Sequence, residues 1–98
     1  MKAFLITQKY LMLERDQGHV ANVIIQRVSE REWIPLFTLE MSDGETVMCS
    51  LRIMEREEVR KWADLNRLAE WIRNEFEIYT CTLSFTDALI EYRSMQDD

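Results

Sequence analysis

The spacing of apolar residues changes period along the chain, and each change marks an expected element. Residues 2–14 carry Ala3, Phe4, Leu5, Ile6, Tyr10, Leu11, Met12 and Leu13, a set that suits a strand and also an amphipathic helix. The strand is preferred because the polar link Asp16-Gln17-Gly18 leads directly into the β-branched run Val20, Val23, Ile24, Ile25 and Val28. On this reading residues 2–14 and 19–29 form a first hairpin. A second pairs 33–41 with 46–54 across Ser42-Asp43-Gly44. In its return strand Val47, Cys49, Leu51 and Ile53 alternate with Thr46, Met48, Ser50 and Arg52, which places one apolar face toward a core. Pro35 cannot donate a ladder hydrogen bond, so Trp33 to Met41 reads as an edge strand, or as one that begins after the proline.

From Glu55 the period lengthens. Residues 55–76 hold no glycine or proline, open with Glu55, Glu57 and Glu58 at the positive end of a helix dipole, and space Val59, Trp62, Leu65, Ala69, Ile72 and Phe76 at three- and four-residue steps. A long helix covering the sheet is predicted. Residues 77–85 alternate again, with Tyr79, Cys81, Leu83 and Phe85 on one side, and predict a fifth strand. Thr86 suits an N-cap for a short final helix through Ala88, Leu89, Ile90 and Tyr92, with Asp97 and Asp98 frayed. The expected fold is α+β: an antiparallel sheet of about four strands from two β-hairpins, packed by one long helix (55–76), then a fifth strand and a short C-terminal helix.

Composition narrows the function classes. The 98 residues are 47% hydrophobic with two glycines and one proline, which points to one compact domain over 1–98 and away from disorder. The net charge of −6 argues against a generally basic, phosphate-coating protein. Residues 1–54 carry six basic and seven acidic side chains, whereas residues 55–98 carry six and eleven, so the acidity belongs to the second half. No apolar run approaches a membrane span, and the N-terminal stretch lacks a small-residue cleavage site, so the chain reads as soluble, unprocessed and cytoplasmic, without a membrane partner.

Catalytic signatures are sparse. The only histidine, His19, falls in an expected turn beside Gly18 and reads as solvated. There is no phosphate-binding glycine loop, HExxH or EF-hand spacing, so no enzyme, metal site or cofactor is expected. Cys49 and Cys81 both fall on inward positions and read as core packing; a redox pair would require their strands to be neighbours.

Two surface features remain. Advancing 100° per residue along the expected helix places Trp71 off the apolar stripe, with Asp64, Arg67, Glu75 and the shoulder residue Leu68 around it. Tryptophan and arginine are the usual carriers of interface energy, so these five residues are the candidate protein-binding site. Arg52, Arg56, Arg60 and Arg67 form an arginine ridge on the same wheel, and arginine outnumbers lysine nine to three. The expected function is a small non-enzymatic protein-binding module, an inhibitor or accessory factor acting through a helix surface, with self-association into a homodimer through a sheet edge compatible with it. The alternative is a dimeric nucleic-acid-binding regulator that uses the arginine ridge, against an unfavourable net charge.

Overall fold

A computed structural model describes residues 1–53 and 56–94. The first departure from the expected hairpin comes at Thr7. Strand β1 (Lys2–Ile6) ends there, and helix α1 (Gln8–Asp16) follows, with the Thr7 hydroxyl accepting from the Tyr10 amide at 3.2 Å. Leu, Met, Lys, Glu and Arg all favour a helix, and Leu11 and Glu14 turn inward. Gly18 closes this helix rather than turning a hairpin. Its φ is 78°, its amide donates to Arg15 O at 2.9 Å, and the His19 amide donates to Glu14 O at 2.9 Å, the bond pattern of a Schellman cap.

Strands β2 (Val20–Ser29), β3 (Glu32–Glu40) and β4 (Thr46–Leu51) form two successive antiparallel hairpins. The β3–β4 hairpin is the one expected at Gly44, which has a φ of 88°, with Phe37 opposite Cys49 and Leu39 opposite Val47. The β2–β3 turn has no glycine; Arg31 takes the left-handed conformation at φ 59°. Strand β1 then inserts parallel to β4, with Ile6 opposite Leu51. Strands β5 (Thr82–Ser84) and β6 (Glu91–Ser94) add in parallel to β2 and β1, giving a mixed six-stranded sheet of order β5-β2-β3-β4-β1-β6. The described residues thus form a small α+β fold with a mixed sheet and two helices.

Strand β3 is central, not an edge. Pro35 is accommodated because the β3–β4 ladder ends at Phe37 and Cys49, and the Ser50 hydroxyl donates to Pro35 O at 2.6 Å. Two residues earlier the Trp33 amide donates to Trp62 O at 2.8 Å, so a different segment completes the strand beyond the proline.

That segment is the first part of the expected 55–76 helix. Helix α2 covers only Leu65–Phe76, and Glu55, where the helix was expected to open, lies outside the described residues. Val59 bridges Arg52 and Trp62 bridges Trp33, both antiparallel. The backbone there is held by the sheet, and Asp64 starts the helix by accepting from the Asn66 and Arg67 amides at 2.8 and 3.2 Å. Replacing Asp64 with alanine is expected to cost about 1 kcal/mol, the usual weight of an N-cap. A urea midpoint unchanged from wild type would remove this account of the helix start.

Both helices lie on one face of the sheet. Leu11, Leu68, Ile72 and Phe76 pack there against Val23, Ile25, Phe37, Leu39 and Cys49. The opposite face buries Ala3, Leu5, Ile34 and Leu36 under Val59, Ile90 and Tyr92. Strands β5 and β6 occupy opposite edges of the sheet, about five strand spacings or 24 Å apart. The steps from Ser84 to Glu91 reach about 24 Å only when extended, whereas a helix of the same length spans about 10 Å. The connection therefore crosses the face as an extended strap, and the short C-terminal helix expected from Thr86 does not form. The strap is tied down by Gln26 Nε2 donating to Thr86 O at 2.6 Å and by the Ala88 amide donating to Arg27 O at 3.3 Å. The expected fraying at Asp97 and Asp98 falls outside the described residues. No helix among the described residues is long and apolar enough to cross a membrane.

Candidate functional site

Each of the five residues grouped around Trp71 has a definite place. Leu68 is fully buried in the core at 0% exposure and offers nothing to a partner. The Asp64 carboxylate is engaged as the α2 cap. The carbonyl of Glu75 accepts from Arg15 Nη1 at 2.9 Å, which joins the C-terminal ends of the two helices. Arg67 and the Glu75 residue as a whole are exposed. Trp71 is half-buried; its cover comes from Trp62 and Phe76, each with ring centroids 5.1 Å away.

The arginine ridge also dissolves as drawn, because residues 56–64 do not follow a helical wheel. Arg56 is exposed, 4.0 Å from Glu58, and Arg67 sits on α2. Arg52 and Arg60 are instead brought together by the sheet. The Arg52 amide donates to Ile6 O at 2.9 Å, and the Arg60 amide donates to Leu51 O at 2.7 Å. Both residues line one open cavity of about 310 Å³ with Gln8, Leu51 and Ile53, although Arg52 shares the sheet face of its bridge partner Val59 while Arg60 stacks on the helix side. The Arg60 guanidinium lies over Trp62 at 4.3 Å and over Trp71 at 5.5 Å. Trp71 and the arginines, separate features on the expected helix, thus meet at Arg60.

Sequence reasoning missed the continuation of this cluster. Trp62 is hydrogen-bonded to Trp33 in both directions, at 2.8 and 2.9 Å. Trp33 meets Phe85 edge-on at 6.0 Å. Phe85, expected inward, is 63% exposed, and Leu83, Tyr79 and Leu89 are 44%, 71% and 94% exposed. Cys81 is likewise exposed, contrary to the core position expected of it. Strand β5 holds only three residues and lies on the sheet edge, so alternation along 77–85 has no second layer to face. The one available signal was that Trp33, Trp62 and Trp71 had no common helix face.

Comparison of the chain with protein-family models, curated proteins and solved structures gives no match.

The titratable groups serve the scaffold. His19 Nδ1 lies 2.6 Å from Glu14 Oε2, so the expected solvated histidine is instead half-buried and partnered. Burial, reinforced by the Glu14 charge, pushes the Cys49 thiol up to about 12. The Ser29 hydroxyl, then Lys61 at 3.2 Å, hold the Glu32 carboxyl below its ordinary range. Burial, then Glu32, pushes the Tyr92 phenol up. Strands β2 and β3 separate β4 from β5, so Cys49 and Cys81 are not neighbours, and both are free thiols. Among the described residues no three histidine, cysteine or carboxylate side chains converge as a metal site would require.

Proposed function

We propose that this chain is a small non-enzymatic protein-binding module that docks its partner along the row Phe85, Trp33, Trp62 and Trp71, with Arg60 stacked at its end. The observation that carries this reading is the exposed Phe85 set edge-on against Trp33, at one end of a row of half-buried tryptophans. Half-buried aromatics are already held in place, so a partner that covers them gains apolar burial with little loss of side-chain freedom. Arg60 adds a planar cation that is stacked beforehand. Leu83, two residues before Phe85 and of the same strand parity, is a further exposed apolar side chain. The net charge of −6 favours encounter with a basic partner, as suits an inhibitor or accessory factor. If a second copy is the partner, the sheet edges open to it are β5 and β6 rather than residues 33–41.

Phe85 is the residue to test, because its exposure means that alanine there leaves the fold largely intact. Phe85→Ala is expected to weaken capture of the specific partner from native-host lysate by about thirtyfold, the weight of an interface hot spot. Recovery equal to wild type, with an unchanged circular dichroism spectrum, would refute this surface.

A further inference from the structure

We propose that two copies of this chain pair antiparallel through their β5 edges, about a twofold axis at Leu83. Among the described residues β5 has a strand neighbour on one side only, β2, so the N–H and C=O groups of alternate residues face outward with no strand to meet them. Leu83 stands opposite Ile25 of β2 and shares its helix-side face, but Ile25 is buried and Leu83 is largely open. Phe85, of the same parity, is open as well. The helix-side core thus ends at this edge on two partly uncovered apolar side chains.

The sequence of this edge is its own complement. Read outward from Leu83, the residues are Thr82 and Ser84, then Cys81 and Phe85, so polarity runs the same way in both directions. Antiparallel pairing of the edge with itself sets Leu83 against Leu83, Thr82 against Ser84 and Cys81 against Phe85 of the second copy, apolar with apolar on the helix side. A slip of one residue would set Leu83 against Thr82 or Ser84 and turn the helix sides of the two copies to opposite faces. Charge selects the same occupant. Two chains of net charge −6 repel each other, but residues 78–86 carry no charged side chain, and Asp87, which follows them, is paired with Arg27 at 2.9 Å. The opposite edge differs: β6 carries Glu91 and Arg93, both more than half exposed and paired at 3.2 Å, the kind of charged side chain that keeps an edge from adding a strand. Strand β5 is short, yet it has neither charge nor proline. A paired edge of about five residues, near 17 Å, makes an interface at the small end, below about 1,200 Å², and a dimer that forms and separates readily, with a Kd of about 10–100 μM. The pairing shares Phe85 with the partner surface but does not rest on it, because it is made by the β5 backbone and Leu83, whereas the rest of the row starts at Trp33, two strands in from this edge.

Sedimentation equilibrium of the full chain from about 5 to 500 μM is expected to show a monomer–dimer equilibrium with that Kd. Leu83→Glu sets two carboxylates directly opposite each other at the axis and is expected to raise the Kd at least about tenfold. Thr82→Glu, at an exposed position on the other face of the edge, is expected to act in the same direction, and it serves where the first variant does not keep the wild-type circular dichroism spectrum. Arg60→Ala, at the far end of the aromatic row, is expected to dimerise like wild type. In a mixture of isotopically labelled and unlabelled chain, filtered NOEs are expected from the Leu83 methyls to Leu83 of the other copy, and from the Phe85 ring to Cys81 of the other copy. A wild type that stays monomeric to about 500 μM, a Kd unchanged in the folded charge variants, or contacts between copies that map to β6 or to a helix, overturns the pairing. Loss of the dimer in Arg60→Ala as in Leu83→Glu would move the contact onto the row and also overturn it. The two readings separate: a monomeric wild type that still loses partner capture on Phe85→Ala sinks this pairing alone, and a β5 dimer with capture unchanged by Phe85→Ala sinks the partner surface alone.

Discussion

Replacing Phe37 with alanine is expected to remove about 3–5 kcal/mol of folding free energy, read as a fall in the urea midpoint. Phe37 lies on β3 between Val23 of β2 and Cys49 of β4, and its ring meets Phe76 of α2 at 5.1 Å. It belongs to the same buried cluster as Leu11 of α1 and Ile72 of α2. Truncation there removes the transfer free energy of the ring and leaves a cavity whose walls come from hydrogen-bonded strands, which cannot easily collapse. Small domains hold about 5–15 kcal/mol in total, so the variant should be marginal at 37 °C. Phe76→Ala should show a similar loss, and the double variant should lose less than the sum by about 0.5–1.5 kcal/mol, the direct weight of an aromatic pair. A Phe37→Ala loss below about 1.5 kcal/mol is what an edge strand would give. It would contradict the central placement of β3.

That placement shows where sequence reasoning held and where it failed. The β3–β4 hairpin was legible because Gly44 and the alternation of Val47, Cys49 and Leu51 agree, and the short-range chemistry of the turn sufficed. Gly18 misled for a physical reason: a left-handed glycine closes a Schellman cap as readily as it turns a hairpin, and what lies before it decides which. The choice between strand and helix for residues 2–14 had no single answer, because Thr7 divides them into one of each.

The other failures are tertiary. Val59 and Trp62 fit a helical stripe, yet both are claimed by bridges to Arg52 and Trp33 that lie far away in sequence or depend on the path of the chain. Pro35 argued for an edge, and only the Ser50 hydroxyl and the Trp62 backbone show how an interior strand tolerates it. The strap was illegible from Thr86 to Ile90, since its extension follows from the distance between two sheet edges and not from local preference. For the candidate site, a wheel drawn through residues 55–64 set Trp71 apart from the arginine ridge, whereas Arg60 lies over Trp62 and Trp71.

Under native conditions near pH 8, a thiol reagent such as iodoacetamide is expected to modify Cys81 at least about a thousandfold faster than Cys49. Cys81 is exposed ahead of β5 and meets the reagent directly. Cys49 is buried on β4, and its thiol is pushed up to about 12 by burial first and the Glu14 charge second. Only about one molecule in ten thousand then carries a Cys49 thiolate at pH 8, and the reagent must also wait for the core to open. The same shift ties stability to alkaline pH. An unfolded chain loses the thiol proton near pH 9, whereas the folded chain keeps it to about 12. Between these values the folded state binds more protons, so rising pH favours unfolding by about 1.4 kcal/mol per unit. The stabilisation is complete below pH 9, and about 2 kcal/mol is gone by about pH 10.5. Tyr92, also raised by burial, acts in the same direction at the upper end of that range. Cys49→Val removes the thiol at nearly constant volume and should flatten the alkaline loss by most of that amount, measured as urea midpoints of variant and wild type at pH 8 and 10.5. Equal labelling rates for the two thiols, or parallel alkaline losses in variant and wild type, would mean that Cys49 does not sit in a closed core beneath the two helices.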